Sequence, residues 1–196
     1  KNWINKQRRD IYVRKSKIEG YRSRAAYKLQ EIDKKFKIFK NGFLVVDLGA
    51  APGSWSQFVI KNYKNIKIAS IDLKDIEEID KVFLFKGDFT DNLHQEKIKK
   101  YFGEKVDVVV SDMAVNTTGN KNVDAIVTGE LCFEAMKFAK NMLKKNGKFI
   151  SKIFMGSTFN ETIQYSKENF KETNIYKPPA SRKDSKENFL ISNNLR

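Results

Sequence analysis

One cysteine (Cys132), one histidine (His94) and three prolines are all that the 196 residues contain of these types. A single thiol cannot close an internal disulfide, and one histidine with one cysteine excludes a His-based or Cys/His metal cluster. No apolar run approaches the ~20 residues that a membrane-spanning helix needs. The Gly-rich spacing GxGxxG is missing, and no glycine loop ends in the Lys-Ser/Thr pair of a P-loop, so two common phosphate-cradling motifs are absent. Negative charge is also short. There are 24 Asp+Glu against 38 Lys+Arg, a formal net charge of +14. These shortages lead us to expect no metal and no membrane partner, and a monomeric protein. Cys132 reads as a small packed hydrophobe, and His94 as a surface residue.

What the chain does have is enough apolar material for a core, with 40% hydrophobic and 12% aromatic residues. The length suits one domain, or one domain with a short arm. The charge points to a polyanionic partner, nucleic acid ahead of an anionic membrane. Lysine supplies 31 of the 38 basic residues, a bias that drift in base composition also produces. The positive charge is dense over residues 1–24, where Trp3, Tyr12 and Tyr21 interleave with Arg8, Arg9, Arg14, Arg22 and Arg24. That pattern suits a basic arm that follows phosphates and stacks on bases, with residues 25–196 as a single domain.

From Ser23, a candidate cap, Ala26, Leu29, Ile32 and Phe36 recur at helical spacing. Apolar runs at 43–48, 66–71, 82–85, 106–110 and 148–154 read as strands, the first of the fully buried, parallel-sheet type. Helices are expected at 54–63, opened by Ser54, and at 92–101, 127–143 and 159–169. Strands near 173–176 and 188–192 complete the pattern, and a polar Asn/Thr/Gly stretch lies at 116–122. Alternating strands and helices predict a doubly wound α/β domain with a mostly parallel sheet.

Such sheets bind ligands beyond the carboxyl ends of their strands. The polar residues at those ends are Asp47, Asp72, Asp88, Asp112 and Lys152. One such Asp could be an ordinary turn or helix cap, but four with a lysine at one mouth form a pattern. The loop Gly49-Ala50-Ala51-Pro52-Gly53-Ser54-Trp55 has small residues that let a ligand approach the backbone. Asp72, at the end of the second strand, can accept from both hydroxyls of a ribose, and Asp88 lies where an adenine edge could be held. NAD and S-adenosylmethionine both fit these features. The missing pyrophosphate cradle favours S-adenosylmethionine, with the loop residues Gly49, Ala50, Pro52, Gly53, Ser54 and Trp55 and the carboxylates Asp72 and Asp88 as the candidate contacts.

Several segments carry a resemblance: Asp47 to Gln57, Ser23-Arg24-Ala25-Ala26-Tyr27-Lys28-Leu29, Gly87-Asp88-Phe89, Ser111-Asp112-Met113-Ala114, Ser151-Lys152-Ile153-Phe154 and Lys177 to Glu187. Taken in chain order, and over about residues 14–192, they resemble the FtsJ/RrmJ-type ribose 2′-O-methyltransferases. Val115 and Ser54 depart mildly from the pattern, where many relatives have Pro and Gly. The resemblance implies a Rossmann-like, S-adenosylmethionine-dependent methyltransferase fold, its sheet mostly parallel with an antiparallel C-terminal strand. It places a catalytic Lys-Asp-Lys-Glu tetrad on Lys28, Asp112, Lys152 and Glu187, and cofactor contacts on Gly53, Trp55, Asp72, Asp88 and Asp112. It also implies an RNA substrate, most simply a uridine of large-subunit ribosomal RNA, with transfer RNA near the anticodon as the alternative. Arg8, Arg9, Arg22, Arg24, Arg182 and Lys183 are the expected RNA-binding residues. The resemblance is to intracellular enzymes. The ribosomal-type members that the chain resembles include organellar versions, which implies a mitochondrion or other organelle, with cytoplasm or nucleus as alternatives.

The chemistry asks for in-line alignment and removal of the hydroxyl proton. Lys152 is the expected base, with Lys28 and Asp112 positioning it and Glu187 holding a lysine or the ribose. A basic lysine needs its pKa lowered, by burial or a second cation, whereas the two carboxylates push it up. A nicotinamide oxidoreductase and a non-catalytic RNA-binding module are the competing readings. The first lacks GxGxxG and a hydride-transfer partner, and the second has no need of the tetrad.

Overall fold

The computed structural model describes residues 10–113 and 120–196. Two helices open it, α1 (Ile11–Glu19) and α2 (Ala25–Phe36), followed by β1 (Leu44–Leu48), α3 (Ser54–Asn62), β2 (Lys67–Asp72) and β3 (Val82–Lys86). Then come α4 (Asn92–Phe102), β4 (Val106–Ser111), α5 (Lys121–Met142), β5 (Leu143–Phe154), α6 (Phe159–Asn169), β6 (Phe170–Tyr176) and β7 (Glu187–Leu195). The seven strands form one sheet in the order β3-β2-β1-β4-β5-β7-β6. Neighbours from β3 through β5 are parallel, and β7 runs antiparallel to both β5 and β6. The expected mostly parallel sheet with an antiparallel C-terminal strand is therefore present.

Period-two alternation sorts the strand residues onto two faces. Val46, Leu48, Val109, Phe149 and Leu190 pack under α4, α5 and α6. Val45, Val108, Val110, Ile150, Phe189 and Ile191 pack with Leu29, Ile32, Phe58 and Val59 of α2 and α3. The chain leaves β1 first toward β2 and β3 and later returns to β4 on its other side. The carboxyl ends of β1 and β4 thus form the switch point where doubly wound sheets open a crevice.

Three elements differ from expectation, each for a local reason. The basic arm contains α1, started by Asp10, whose carboxylate accepts from the Tyr12 amide, and ended by Gly20 in the left-handed conformation. Tyr12 and Tyr21, expected to stack on bases, pack instead on the buried Tyr27 ring at 5.6 and 5.8 Å. The helix after the first loop is capped by Gly53 rather than Ser54. β5 begins at Leu143, because Lys144 Nζ reaches Asp107 at 3.1 Å and a bulge absorbs the residues before Lys148. Arg8 and Arg9 lie outside the described residues, as does most of the 116–122 stretch.

Candidate active site

The carboxyl ends of β1, β2, β3 and β4 open into a cavity of about 600 Å³ lined by Gly49, Asp72, Asp88, Phe89, Asp112 and Met113 among others. Its floor is the turn after β1, where the amides of Gly49 and Ala50 both donate to the Ile71 carbonyl, at 2.8 and 3.1 Å. Gly49 has φ +65°, and a Cβ there would fall 2.0 Å from Met113 Cγ, so the close approach requires glycine. Asp72 accepts from the Ala51 amide at 3.0 Å and the Lys74 amide at 2.8 Å, one on each carboxylate oxygen. Each oxygen keeps lone-pair capacity for another donor. Asp88 accepts from the Thr90 amide and hydroxyl at 2.9 and 2.7 Å. Its backbone carbonyl meets His94 Nδ1 at 2.9 Å.

Below this cavity Asp47 is fully buried. Its carboxylate accepts from Ser56 Oγ at 2.6 Å, and Ser56 and Ser70 share a 2.7 Å hydrogen bond. Burial pushes the Asp47 carboxyl up to about 7. The Ser56 hydrogen bond opposes the rise, and the Asp112 and Asp72 charges add to it.

A second, polar cavity of about 410 Å³ lies beside the first, lined by Arg24, Lys28, Arg182, Asp184, Ser185 and Glu187. Lys152 stands between the two. Its ammonium is 2.9 Å from Asp112 Oδ1 and 3.3 Å from Glu187 Oε2, and its side chain is 10% exposed. Asp112 Oδ1 has no well-angled donor, so its pair with Lys152 is a charge contact. Lys152 also donates to the Asp112 carbonyl at 3.4 Å. Lys28 Nζ reaches both oxygens of Glu187, at 2.8 and 2.9 Å, and Ser181 Oγ donates to Glu187 Oε1 at 2.8 Å. The four residues expected to form the tetrad thus meet in one cluster. Lys152 comes from β5, Asp112 follows β4, Glu187 starts β7 opposite Phe154, and Lys28 comes from α2.

Burial by itself would lower the Lys152 pKa, but the Asp112 and Glu187 charges outweigh it and the net direction is up. Burial works against the Glu187 charge as well, yet Lys152 and Lys28 hold this carboxyl well below the usual range, at about 2.

Other expected site residues are placed differently. Trp55 is 3% exposed, donates from Nε1 to the Ala25 carbonyl at 2.8 Å, and packs on Phe189 at 5.8 Å. Ser54 is buried, its hydroxyl 2.8 Å from that of Ser23. Ala50, Pro52 and Gly53 support the turn rather than line the cavity, and a Cβ on Gly53 would press on Ile79 at 2.6 Å. Arg22 is turned into the chain, where its guanidinium donates to the carbonyls of Pro52, Glu77 and Glu78 at 2.9, 2.7 and 2.7 Å. Arg24 pairs with Asp10 and donates to the Ala180 carbonyl. Arg182 is 3.7 Å from Asp10, and Lys183 is exposed. Sequence reading missed Ser181 and Asp10. Asp10 carries only the weak helix-start signal of an Asp, since the helix it caps has no apolar stripe, and Ser181 has no local signature of its role.

Among the described residues no group of three or more His, Cys, Asp or Glu could hold a metal, and no helix is long and apolar enough to cross a membrane.

A family model described as FtsJ-like methyltransferase matches residues 21–195. A protein of Pelagibacter ubique named ribosomal RNA large subunit methyltransferase E is 63% identical over 196 residues, covering 100% of this chain and 97% of its own. The protein of the same name from Rickettsia akari is 47% identical, over 98% of this chain and 88% of its own. The crystal structure of a ribosomal RNA methyltransferase from Plasmodium falciparum superposes with a TM-score of 0.79 at 33% identity, covering 89% of this chain and 98% of that one.

Proposed function

The chain belongs to the FtsJ-like methyltransferase family, and from that membership we propose that it methylates a ribose 2′-hydroxyl of RNA, a uridine of the large-subunit ribosomal RNA, with S-adenosylmethionine as donor. The observation that carries this reading is the position of Lys152, whose ammonium joins Asp112 at the rim of one cavity to Glu187 at the rim of the other. A donor held in the first cavity and a ribose held in the second would meet at this amine.

The first cavity suits an adenosine-type donor. Its volume falls in the range of small-molecule sites, glycine keeps its floor open at Gly49, and Asp72 offers a carboxylate with unused acceptor capacity. When bound, S-adenosylmethionine supplies a methyl group already activated by a positive sulfur. The chain supplies alignment and proton removal. Asp72 accepts from ribose hydroxyls of the donor, and Asp88 borders the same cavity. Lys152 Nζ takes the proton of the substrate 2′-hydroxyl, and for that it must first be neutral. Asp112 and Glu187 oppose its neutralisation. Lys28 offsets part of that opposition, because it engages both Glu187 oxygens and leaves Lys152 the longer contact at 3.3 Å. Among its described residues the second cavity carries three cations, Arg24, Lys28 and Arg182, against two carboxylates, Asp184 and Glu187, so a phosphodiester there would compete with Asp10 for the two guanidinium groups. A ribose 2′-hydroxyl as acceptor selects RNA over DNA.

The names of the relatives support ribosomal RNA as substrate. Both relatives are bacterial, so we place the activity in a bacterial cytoplasm, on the ribosome or its large subunit. An organelle or a nucleus, expected from the resemblance, finds no support in these two names.

The test is labelled methyl transfer by the purified chain to large ribosomal subunits, free ribosomal RNA and transfer RNA, with the 2′-O-methyl position mapped. Label confined to one ribose of the large-subunit RNA is the expected result. Label in transfer RNA alone would replace the substrate. Calorimetric binding of NAD but not S-adenosylmethionine would overturn the reading altogether.

A further inference from the structure

Ala180 is gripped at both of its backbone polar atoms, which belong to successive peptide groups, by α2 and the residue before it. Its N–H donates to Glu31 Oε2 at 2.7 Å, and its carbonyl accepts from the Arg24 guanidinium. Ala180 is completely buried, and residues 31 and 180 are 149 positions apart in the chain. The next residue, Ser181, donates its amide to the Pro178 carbonyl at 2.9 Å and its hydroxyl to Glu187 Oε1 at 2.8 Å. Glu187 in turn holds Lys28 and Lys152. Upstream, Arg24 is tied to Asp10, and Tyr12 Oη lies 3.4 Å from Glu31 Oε1. A continuous series of polar contacts therefore runs from the N-terminal helix to the reacting lysine.

We propose that Glu31 and Ser181 are positioning residues of the methyl transfer, acting through Glu187. The segment between β6 and β7 has no regular secondary structure over residues 177–186; the ladder opposite Phe154 sets the Glu187 backbone but leaves the aim of its carboxylate to side-chain contacts. Two charged side chains clamp Ala180 from either side, and the hydroxyl of the next residue, Ser181, aims the Glu187 carboxylate. The residues that read from sequence as a basic RNA arm then serve the catalytic centre, since Asp10 and Tyr12 of that segment steady Arg24 and Glu31. This inference rests on the proposed methyl transfer.

The experiment compares wild type, Glu31→Ala, Glu31→Gln, Ser181→Ala and the double variant Glu31→Ala/Ser181→Ala. It measures kcat, KM for RNA, cofactor affinity by calorimetry and melting temperature. Glu31→Ala and Ser181→Ala should each lower kcat by about tenfold, since misplacement of a reacting group by less than 1 Å has effects of this order. Cofactor affinity should stay within about twofold of wild type, because the first cavity is untouched. Glu31→Gln keeps an acceptor for the Ala180 amide and should restore most of kcat. The double variant should lose little more than the worse single variant, since both break one series of contacts, whereas independent destabilisation would multiply the losses. Wild-type kcat in Ser181→Ala, or multiplied losses in the double variant, would overturn the proposal. If Glu31→Ala fails to fold, Ser181→Ala decides alone, because it removes only one hydroxyl. An inactive wild-type chain would instead sink the methyl-transfer reading.

Discussion

Lys28 and Lys152 share the carboxylate of Glu187 unequally. Lys28 Nζ lies 2.8 and 2.9 Å from its two oxygens, and Lys152 Nζ lies 3.3 Å from one of them. Asp112 then takes Lys152 at 2.9 Å. Two cations and two anions alternate in space, Lys28–Glu187–Lys152–Asp112, so the buried charges compensate one another. The amine that bridges the carboxylates of the two cavities, Lys152, is the one held least by Glu187.

Lys152→Ala should lower methyl transfer by at least about a hundredfold, the usual contribution of a positioned base. Steady-state rates at saturating donor and RNA check this, and near-wild-type turnover would remove Lys152 from the chemistry. The variant also leaves two buried carboxylates facing each other, so its melting temperature should fall. Lys152→Arg keeps the charge pairing and should recover stability without activity, since a guanidinium does not deprotonate near neutral pH.

The raised pKa of Lys152 has a kinetic signature. The neutral amine is scarce at neutral pH, so the rate of the chemical step should climb with pH through the alkaline range for as long as the protein stays folded. Single-turnover rates between pH 7 and about 9.5 provide the check. A profile flat across that span would mean that another group takes the proton.

Asp47 and Glu187 should leave opposite marks on stability. Asp47 titrates at about 7 in the fold against about 3.9 unfolded, so between those values the native state binds the extra proton. Stability from this group is therefore lost as pH rises from about 4 to 7. Glu187 is held down to about 2 against about 4.3 unfolded, so its contribution is present above that value and lost as pH falls from about 4 to 2. Denaturant midpoints across pH should show Asp47→Asn flattening the neutral slope and Glu187→Gln flattening the acid one.

Arg22 separates cofactor from RNA. Its guanidinium ties the turn at Pro52 to the carbonyls of Glu77 and Glu78, each bond contributing about 1 kcal/mol. Arg22→Ala should weaken S-adenosylmethionine binding several-fold and leave the salt dependence of RNA binding unchanged. A salt slope shallower by about one would instead make Arg22 a phosphate contact.

Added salt should divide the two ligands of the wild-type chain. RNA affinity should drop steeply and linearly in log–log form, because phosphate contacts release counterions. Cofactor affinity should hardly move, since the described residues lining the first cavity include Gly49, Phe89, Met113 and three carboxylates with a single lysine, Lys74. Parallel titrations in 50 to 300 mM salt make the comparison. Equal slopes would argue that the positive charge serves both sites.

Much of this architecture is legible in the residues. Val45-Val46 and Val108-Val109-Val110 announce buried strands, and their alternate side chains do divide between the two core faces. The carboxylates at 72, 88 and 112 could be grouped because parallel strands end at one edge of the sheet. Helix α1 was hidden, because its buried contacts come from Tyr12 on Tyr27 across the fold and not from an apolar stripe of its own. Trp55 looked like a ligand contact from its place beside the loop, and only the arrival of Phe189 and the Ala25 carbonyl shows what it packs against.

The opening arithmetic of one cysteine, one histidine and +14 already excluded disulfides and Cys/His metal chemistry and pointed to a polyanion. Periodicity and strand ends added the doubly wound sheet and the edge at which chemistry occurs. Those inferences succeed from sequence because strand and helix periods, chain length and charge are properties of neighbours along the chain. The fate of each arginine and the sharing of Glu187 are not local. Arg22 meets carbonyls 55 and 56 residues away, and Lys28 meets a carboxylate 159 residues away. Packing across such separations decided which basic residues hold the backbone, which line the second cavity and which lysine sits at the junction.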